Sequence, residues 1–388
     1  MNRLRYFLLS LLGAMVALSS CRKEEEIIPS SRVRVGVPGH AGKIKGFFLL
    51  NEANMGSNKA TLDYYDYTTA FYTRNIYAER NPNVVKELGD VGNDLQIHGS
   101  RLYAVINVSG LIEVMDVRTA KHIGKLSIPN CRYIAFKDGF AYVSSYAGPI
   151  KIDPNARLGY VAKVDTATLK VVAECPVGYQ PEELLIQGDK LYVANSGGYR
   201  APNYDKTISI IDLKTFTEEK QVDVAINLHR LQLDNYGKIW VSSRGDYKDV
   251  PSQLFVFDPK TERVTKTLEV ACSNMALSGD SLFVYSSEWS YLTGKNTISY
   301  TVIDTKKQEV IDRNFIKDGT DKEIQLPYGL AINSEQGELY LTDAQDYVHP
   351  GQLHCYDLKT GRRKWSVKTG DIPAHIAFTT QPLHPLHH

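Results

Sequence analysis

Seven times along the chain an apolar, strand-like run ends in Asp and is followed by a short turn. The runs are LDYYD ending at Asp66, IEVMD at Asp116, VAKVD at Asp165, SIID at Asp212, FVFD at Asp258, YTVID at Asp304 and HCYD at Asp357. Successive Asp residues are 50, 49, 47, 46, 46 and 53 positions apart. Thr- and Lys-rich segments such as VRTA, TATL, LKTF and LKTG follow them. An Asp carboxylate at such a corner accepts backbone N–H groups two residues on and so closes a tight hairpin. Upstream of most of these runs lies a second recurring strand: LYAVIN, AYVSSY, LYVANS, IWVSSR, LFVYSS and LYLTD. One strand–loop–strand unit cannot bury its apolar face alone. A period near 47 residues with several strands per unit marks a β-propeller blade or a similar array; a β-sandwich whose strands resemble one another by chance is the competing reading.

Four antiparallel strands per unit place first strands at 94–98, 131–136, 183–187, 228–233, 274–277, 328–332 and, at the far end, 375–378. The N-terminal unit, beginning FFLLNE, has no first strand of its own. The sequence therefore predicts an all-β, seven-bladed propeller over residues 44–380, whose C-terminal strand completes the first blade and removes the exposed sheet edges at the ring's seam.

What precedes the ring reads as targeting. Arg3 and Arg5 lead an apolar run from Phe7 to Leu18, too short to span a bilayer. Leu18-Ser19-Ser20-Cys21 resembles a bacterial lipoprotein signal, with residues 1–20 removed and Cys21 lipidated; an ordinary secretory signal is the alternative. Acyl chains on Cys21 hold a protein at a membrane. Arg22-Lys23-Glu24-Glu25-Glu26 resembles the surface-export signal of Bacteroidota lipoproteins. Residues 21–43 read as the lipidated Cys and a flexible tether, and 381–388 as a disordered tail. The remaining cysteines, Cys131, Cys175, Cys272 and Cys355, fall in different repeats without metal-ligand spacing and read as free, buried thiols. A net charge of +1 selects neither nucleic acid nor an acidic partner.

Strand alternation sorts the connections. The turns between first and second strands, and between third and fourth, are short and share one face. The second-to-third loops and the blade links share the other. Those loops are long at 53–59, 147–159, 197–206, 245–253, 289–297 and 345–351, and short only at 109–110. Long loops cost ordering entropy that a purely structural ring need not spend, so the loop face reads as the binding face. Its loops offer Asn54, Tyr146, Tyr199, Arg200, Tyr204, Tyr247, Trp289, Tyr291 and Tyr347. Blade links and strand heads add Asn93, Arg132, Tyr179, Asn227, His229, Arg230, Asn274 and Tyr328. Second-strand ends add Asn107, Asn195, Arg244 and Glu288. Aromatics supply contact area and amides and guanidinia supply direction, which suits a large ligand rich in amide or hydroxyl edges. Arg132 and Arg230 have a second reading as structural groups paired with carbonyls of a neighbouring blade.

The chain carries no HExxH, GxSxG, GxxxxGK[ST] or CxxC signature. The histidines are scattered singles. Carboxylates such as Asp153, Asp205, Asp246, Glu288 and Asp346 lie on separate loops, from which no spacing reveals or excludes a catalytic pair. The reading is a chain that is not an enzyme, with no metal and no cofactor of its own.

LYVAN, the Asp-closed hairpins and the seven-unit period resemble the YncE-like β-propellers. More narrowly, LLNEANMGSNKATLDYYD, PNCRYIAF, YVSSYAGP, VGYQPEELL, LYVANSGGYRAPNYD, INLHRL and SSRGDY resemble the BtuG-type surface lipoproteins of Bacteroidota, across almost the whole mature chain. That resemblance implies an outer-membrane, cell-surface-exposed lipoprotein. It would capture cobalamin or a related corrinoid on the loop face and pass it to a BtuB-type TonB-dependent transporter. An adhesion or protein-interaction propeller, and a propeller enzyme acting on surface glycans, are the alternatives from other classes.

Overall fold

The computed structural model describes residues 30–39, 42–84, 87–290 and 295–385. Cys21 and Tyr291 lie outside the described residues. Seven antiparallel sheets follow one another around a central axis. The second blade shows the pattern: Gly92–His98 is innermost, then Arg101–Ile106, Leu111–Asp116 and, at the rim, His122–Ser127. The ring closes as the sequence requires. Pro373–Thr379, the last strand, pairs antiparallel with Gly46–Asn51, the first strand of the repeat region.

Each third-strand Asp does what its position demands. The Asp66, Asp116, Asp165, Asp212, Asp258, Asp304 and Asp357 carboxylates each accept a backbone N–H two or three residues on. The turns then pass through a left-handed residue before the fourth strand, at Ala70, Ala120, Leu169, Phe216, Glu262, Gln308 and Gly361.

Blades are held to one another by apolar clusters, one in each gap between neighbours. Between the second and third blades, Val105, Ile112 and Val114 pack on Ile134, Ala141 and Val143. Across the closing seam, Phe47, Leu49 and Tyr65 meet Tyr340, Leu353 and Cys355. There the Tyr67 and Tyr340 hydroxyls share a 2.7 Å hydrogen bond, and the Phe47 ring stands edge-on to Tyr340 at 4.8 Å. Cys131, Cys175, Cys272 and Cys355 are free and buried.

Two terminal expectations are corrected. Within the stretch read as a tether, Ser31–Arg34 forms a fifth, outermost strand on the first blade, paired with Phe71–Arg74. Its sequence, SRVR, shows no burial pattern because all four residues are exposed; ladder bonds and Arg32 and Arg34 over the Phe71 ring, at 4.0 and 4.8 Å, fix it. At the other end, residues 381–385 dock. Arg80 donates to the His384 carbonyl at 2.8 Å, His384 N–H donates to the Arg118 carbonyl at 2.7 Å, and Arg118 reaches Gln381 at 2.8 Å.

Candidate functional site

The head of almost every inner strand is interrupted by a β-bulge. Pro181 pairs with Asn195 and Leu184 with Val193, so Glu182 and Glu183 together face a single residue. The same slip occurs at Arg132-Tyr133, His229-Arg230 and Tyr328-Gly329. In three blades a second-strand hydroxyl takes up the displaced N–H. Ser144 accepts from Tyr133, Ser242 from Arg230 and Thr342 from Gly329. A bulge re-aims side chains, and here it turns consecutive residues toward the axis. Arg132 with Tyr133 and His229 with Arg230 all line a central basin of about 540 Å³.

The basin opens on the loop face. Its walls come from the long loops of several blades: Asn54 and Met55, Ile150, Tyr199, Tyr247 and Tyr347, with Tyr328 and Arg244 at the level of the strand heads. Two side lobes adjoin it. One, about 690 Å³, lies over the short Ser109-Gly110 loop and shares Met55, Asn107, Val108 and Ile150 with the basin. The other, about 570 Å³, shares Arg244, Tyr247 and Tyr347 and adds Trp289 and Glu288.

The basin floor is a network of charge. Glu182, 1% exposed, accepts from Arg132 at 3.1 Å, from Arg244 at 3.1 Å and from the Tyr146 hydroxyl. Burial alone would raise its pKa, but Arg132 and Arg244 outweigh burial and hold the carboxylate below its ordinary value. Burial likewise opposes charge on Arg132, and Glu182 with the surrounding tyrosines overcomes it. Glu183 lacks such an excess of cations: burial raises it, against Arg230 at 3.7 Å and the Leu231 N–H at 2.7 Å. His229 is pushed well below its usual value by burial and then by Arg244, Arg230 and Arg132, so its imidazole is neutral. Its Nε2 meets the Tyr133 hydroxyl at 2.9 Å. Across the floor, Glu52 joins the Tyr328 hydroxyl at 2.6 Å to His375 at 2.9 Å.

Two rim tyrosines are held in backbone conformations that side chains rarely adopt. Tyr247 has φ +62° and Tyr347 φ +66°, both left-handed. For a bulky residue this costs about 1–2 kcal/mol. Aspartates just before them fix the turns. Asp246 accepts from the N–H groups of Lys248, Asp249 and Val250, and Asp346 from those of Val348 and His349. Tyr247 is 60% exposed and Tyr347 41%.

The sixteen expected ligand-binding residues divide accordingly. Asn54, Asn107, Arg132, Tyr199, Arg244, Tyr247, Tyr328 and Tyr347 line the basin, and Trp289 lines the adjoining lobe. Asn107 is buried, however, and spends its amide on Asn130 and the Cys131 carbonyl. Five belong to the scaffold instead. Asn195 is fully buried and donates to Thr207 and Ser209; Asn227 is fully buried and donates to the Gly245 carbonyl. Tyr146 is buried beneath Arg132, 4.8 Å from its ring centre. Tyr179 lies under the Arg200 guanidinium at 3.5 Å, and Arg200 also caps the Asn203 carbonyl, so this pair braces its own loop. Tyr204 sits half-buried near Tyr247. Arg132 and Arg230 pair with carboxylates of a neighbouring blade rather than with its carbonyls. Glu182, Glu52 and Tyr133 were not singled out by sequence reasoning; for Tyr133 the Ser-Ser ending of its blade's second strand was the available signal, because the Ser144 hydroxyl holds that bulge.

Among the described residues, no three His, Cys, Asp or Glu side chains gather as a metal site. A family model described as a domain of unknown function (DUF5074) matches residues 45–379. No curated protein matches the chain. Among solved structures, a chain of hydrazine synthase from Kuenenia stuttgartiensis is similar with a TM-score of 0.57 and 18% identity, over 69% of this chain and 77% of that one. At that identity the likeness is one of fold.

Proposed function

The chain belongs to the DUF5074 family, and from the chemistry of the loop face and the resemblance of its loop segments to BtuG-type lipoproteins we propose that it is a non-catalytic capture protein for cobalamin or a related corrinoid. The observation that carries this reading is the three-lobed depression. It spreads over the loop side of the ring, is walled by Tyr199, Tyr247, Tyr328 and Tyr347, and is floored by Arg132, Arg230 and Arg244. A corrinoid presents a broad macrocycle for the aromatic walls and a fringe of amides for guanidinia and amides. The floor favours binding over proton transfer, since Glu182 is locked by three donors and His229, pushed well below its usual value by burial and the arginines, is a weak base.

In this reading the lipid on Cys21 anchors the protein in the outer membrane, exposed at the cell surface, and the captured ligand passes to a BtuB-type TonB-dependent transporter. The loop tips support docking of such a partner over the loaded face: Met55, Ile152 and Val348, each on a different tall loop, are 64%, 72% and 68% exposed. The test is gel filtration of the purified protein with cyanocobalamin. Co-elution of corrin absorbance is expected. Its absence at micromolar protein refutes the capture function, and product formation from surface glycans would move the chain to the enzyme class.

A further inference from the structure

We infer that the lobe between the loops carrying Tyr247 and Tyr347 and the extended strand carrying Trp289 is a separate subsite for a planar heteroaromatic ring. The inference rests on the capture reading for its natural ligand, a corrinoid that carries a nucleotide-type base. Three neighbouring blades each send one aromatic side chain to this lobe. Tyr247 and Trp289 are 60% and 54% exposed, and neither ring packs on another aromatic ring among the described residues. Tyr347 is braced edge-on against Tyr328, with centroids 6.0 Å apart at 85°.

These rings are set in place before any ligand arrives. Tyr247 and Tyr347 both stand at left-handed positions, in turns closed by the Asp246 and Asp346 carboxylates. Gly245, immediately before, lets its own loop close so tightly that a Cβ there would lie 2.0 Å from the Val250 carbonyl oxygen. Exposed aromatic rings held by a rigid backbone lose little freedom on binding, which is what a recognition site needs. Aromatic walls on three sides call for a guest with two apolar faces. A heteroaromatic base has them, whereas a sugar carries hydroxyls around its ring and needs more directional partners. Polar edges for ring nitrogens are at hand in Ser273, Ser287 and Asn296.

The experiment compares cyanocobalamin, which carries a benzimidazole nucleotide, with cobinamide, which lacks it, by calorimetric titration of wild type, W289A and Y247L. Wild type is expected to prefer cobalamin, and each variant to shrink the cobalamin-to-cobinamide affinity ratio by about 5- to 150-fold, the range for one base stacked on one aromatic ring. Equal wild-type affinities, or a ratio that W289A leaves unchanged, overturn the subsite while leaving corrinoid capture intact. If wild type binds neither corrinoid, the capture reading has failed, and tryptophan fluorescence decides the subsite alone. Quenching by free benzimidazole or adenosine in wild type, and its loss in W289F, upholds it. No quenching, or quenching by methyl glycosides instead, overturns it. Both substituted positions are well exposed, and far-ultraviolet dichroism verifies that each variant retains its sheets.

Discussion

The arrangement around Glu182 predicts a large and non-additive stability effect. Glu182→Gln keeps the shape and removes the charge on which Arg132, Arg244 and Tyr146 converge. A hydrogen bond to a charged group contributes about 1.5–3 kcal/mol and a neutral one about 0.5–1.5, so three weakened contacts amount to roughly 3 kcal/mol. A second route agrees: removing one partner of a buried ion pair costs about 3–5 kcal/mol because the other charge is left without compensation. Two guanidinia would be left here, one 14% and the other 25% exposed in the side chain. Urea unfolding followed by tryptophan fluorescence measures the loss. The double variant Glu182→Gln with Arg244→Gln removes one stranded cation and should regain about 2 kcal/mol relative to the sum of the single changes. Strict additivity, or a Glu182→Gln cost below about 1 kcal/mol, refutes the claim that the floor is held by this carboxylate.

Three further outcomes follow from individual positions. Gly245→Ala and Gly279→Ala both force alanine into a left-handed turn, at φ +63° and +57°, but only the first meets the Val250 carbonyl, while the second meets nothing within 4 Å. Gly279→Ala should lose about 1–2 kcal/mol and keep ligand affinity, whereas Gly245→Ala should displace Tyr247 and weaken binding; identical titrations for the two refute the loop assignment. His354 is pushed down to about 4 by burial, so between pH 6.5 and 4 the unfolded chain binds its proton and the folded ring does not. Stability is then lost as pH falls through that window, by about 1.4 kcal/mol per unit, and His354→Gln should flatten the profile of unfolding midpoint against pH. Burial pushes the Cys131 and Cys272 thiols up to about 12, and a disulfide-exchange reagent at pH 8 should label none of the four ring cysteines until denaturant is added.

Much of the fold was legible because its signals are local. The Asp of each third-strand corner needs only its own turn, and the strand runs alternate within six residues, so period, blade count and closure by residues 375–378 could be read directly. The added strand Ser31–Arg34 could not, since an exposed edge strand has no apolar face to leave a pattern and its ladder partner, Phe71–Arg74, lies some forty residues away.

The site was legible by face but not by residue, and the reason is geometric. Strand alternation assigns each loop to one end of the ring, and the basin indeed opens among the long loops. Alternation also tells a reader that of two consecutive strand residues one points inward and the other away. At the strand heads that rule fails, because the bulge turns Arg132 and Tyr133, or His229 and Arg230, to the same side. The rule therefore misses the pairs that make the floor. The blades also differ in what supports the bulge. Where the second strand supplies Ser144, Ser242 or Thr342, the displaced N–H has a partner and the bulge is held by a side chain. In the fourth blade that position is Ala194, opposite Glu182 and Glu183, and the two carboxylates are held instead by arginines from the blades on either side. Each of these ion pairs spans two blades, which ties the charge network of the basin floor to the packing of the ring itself.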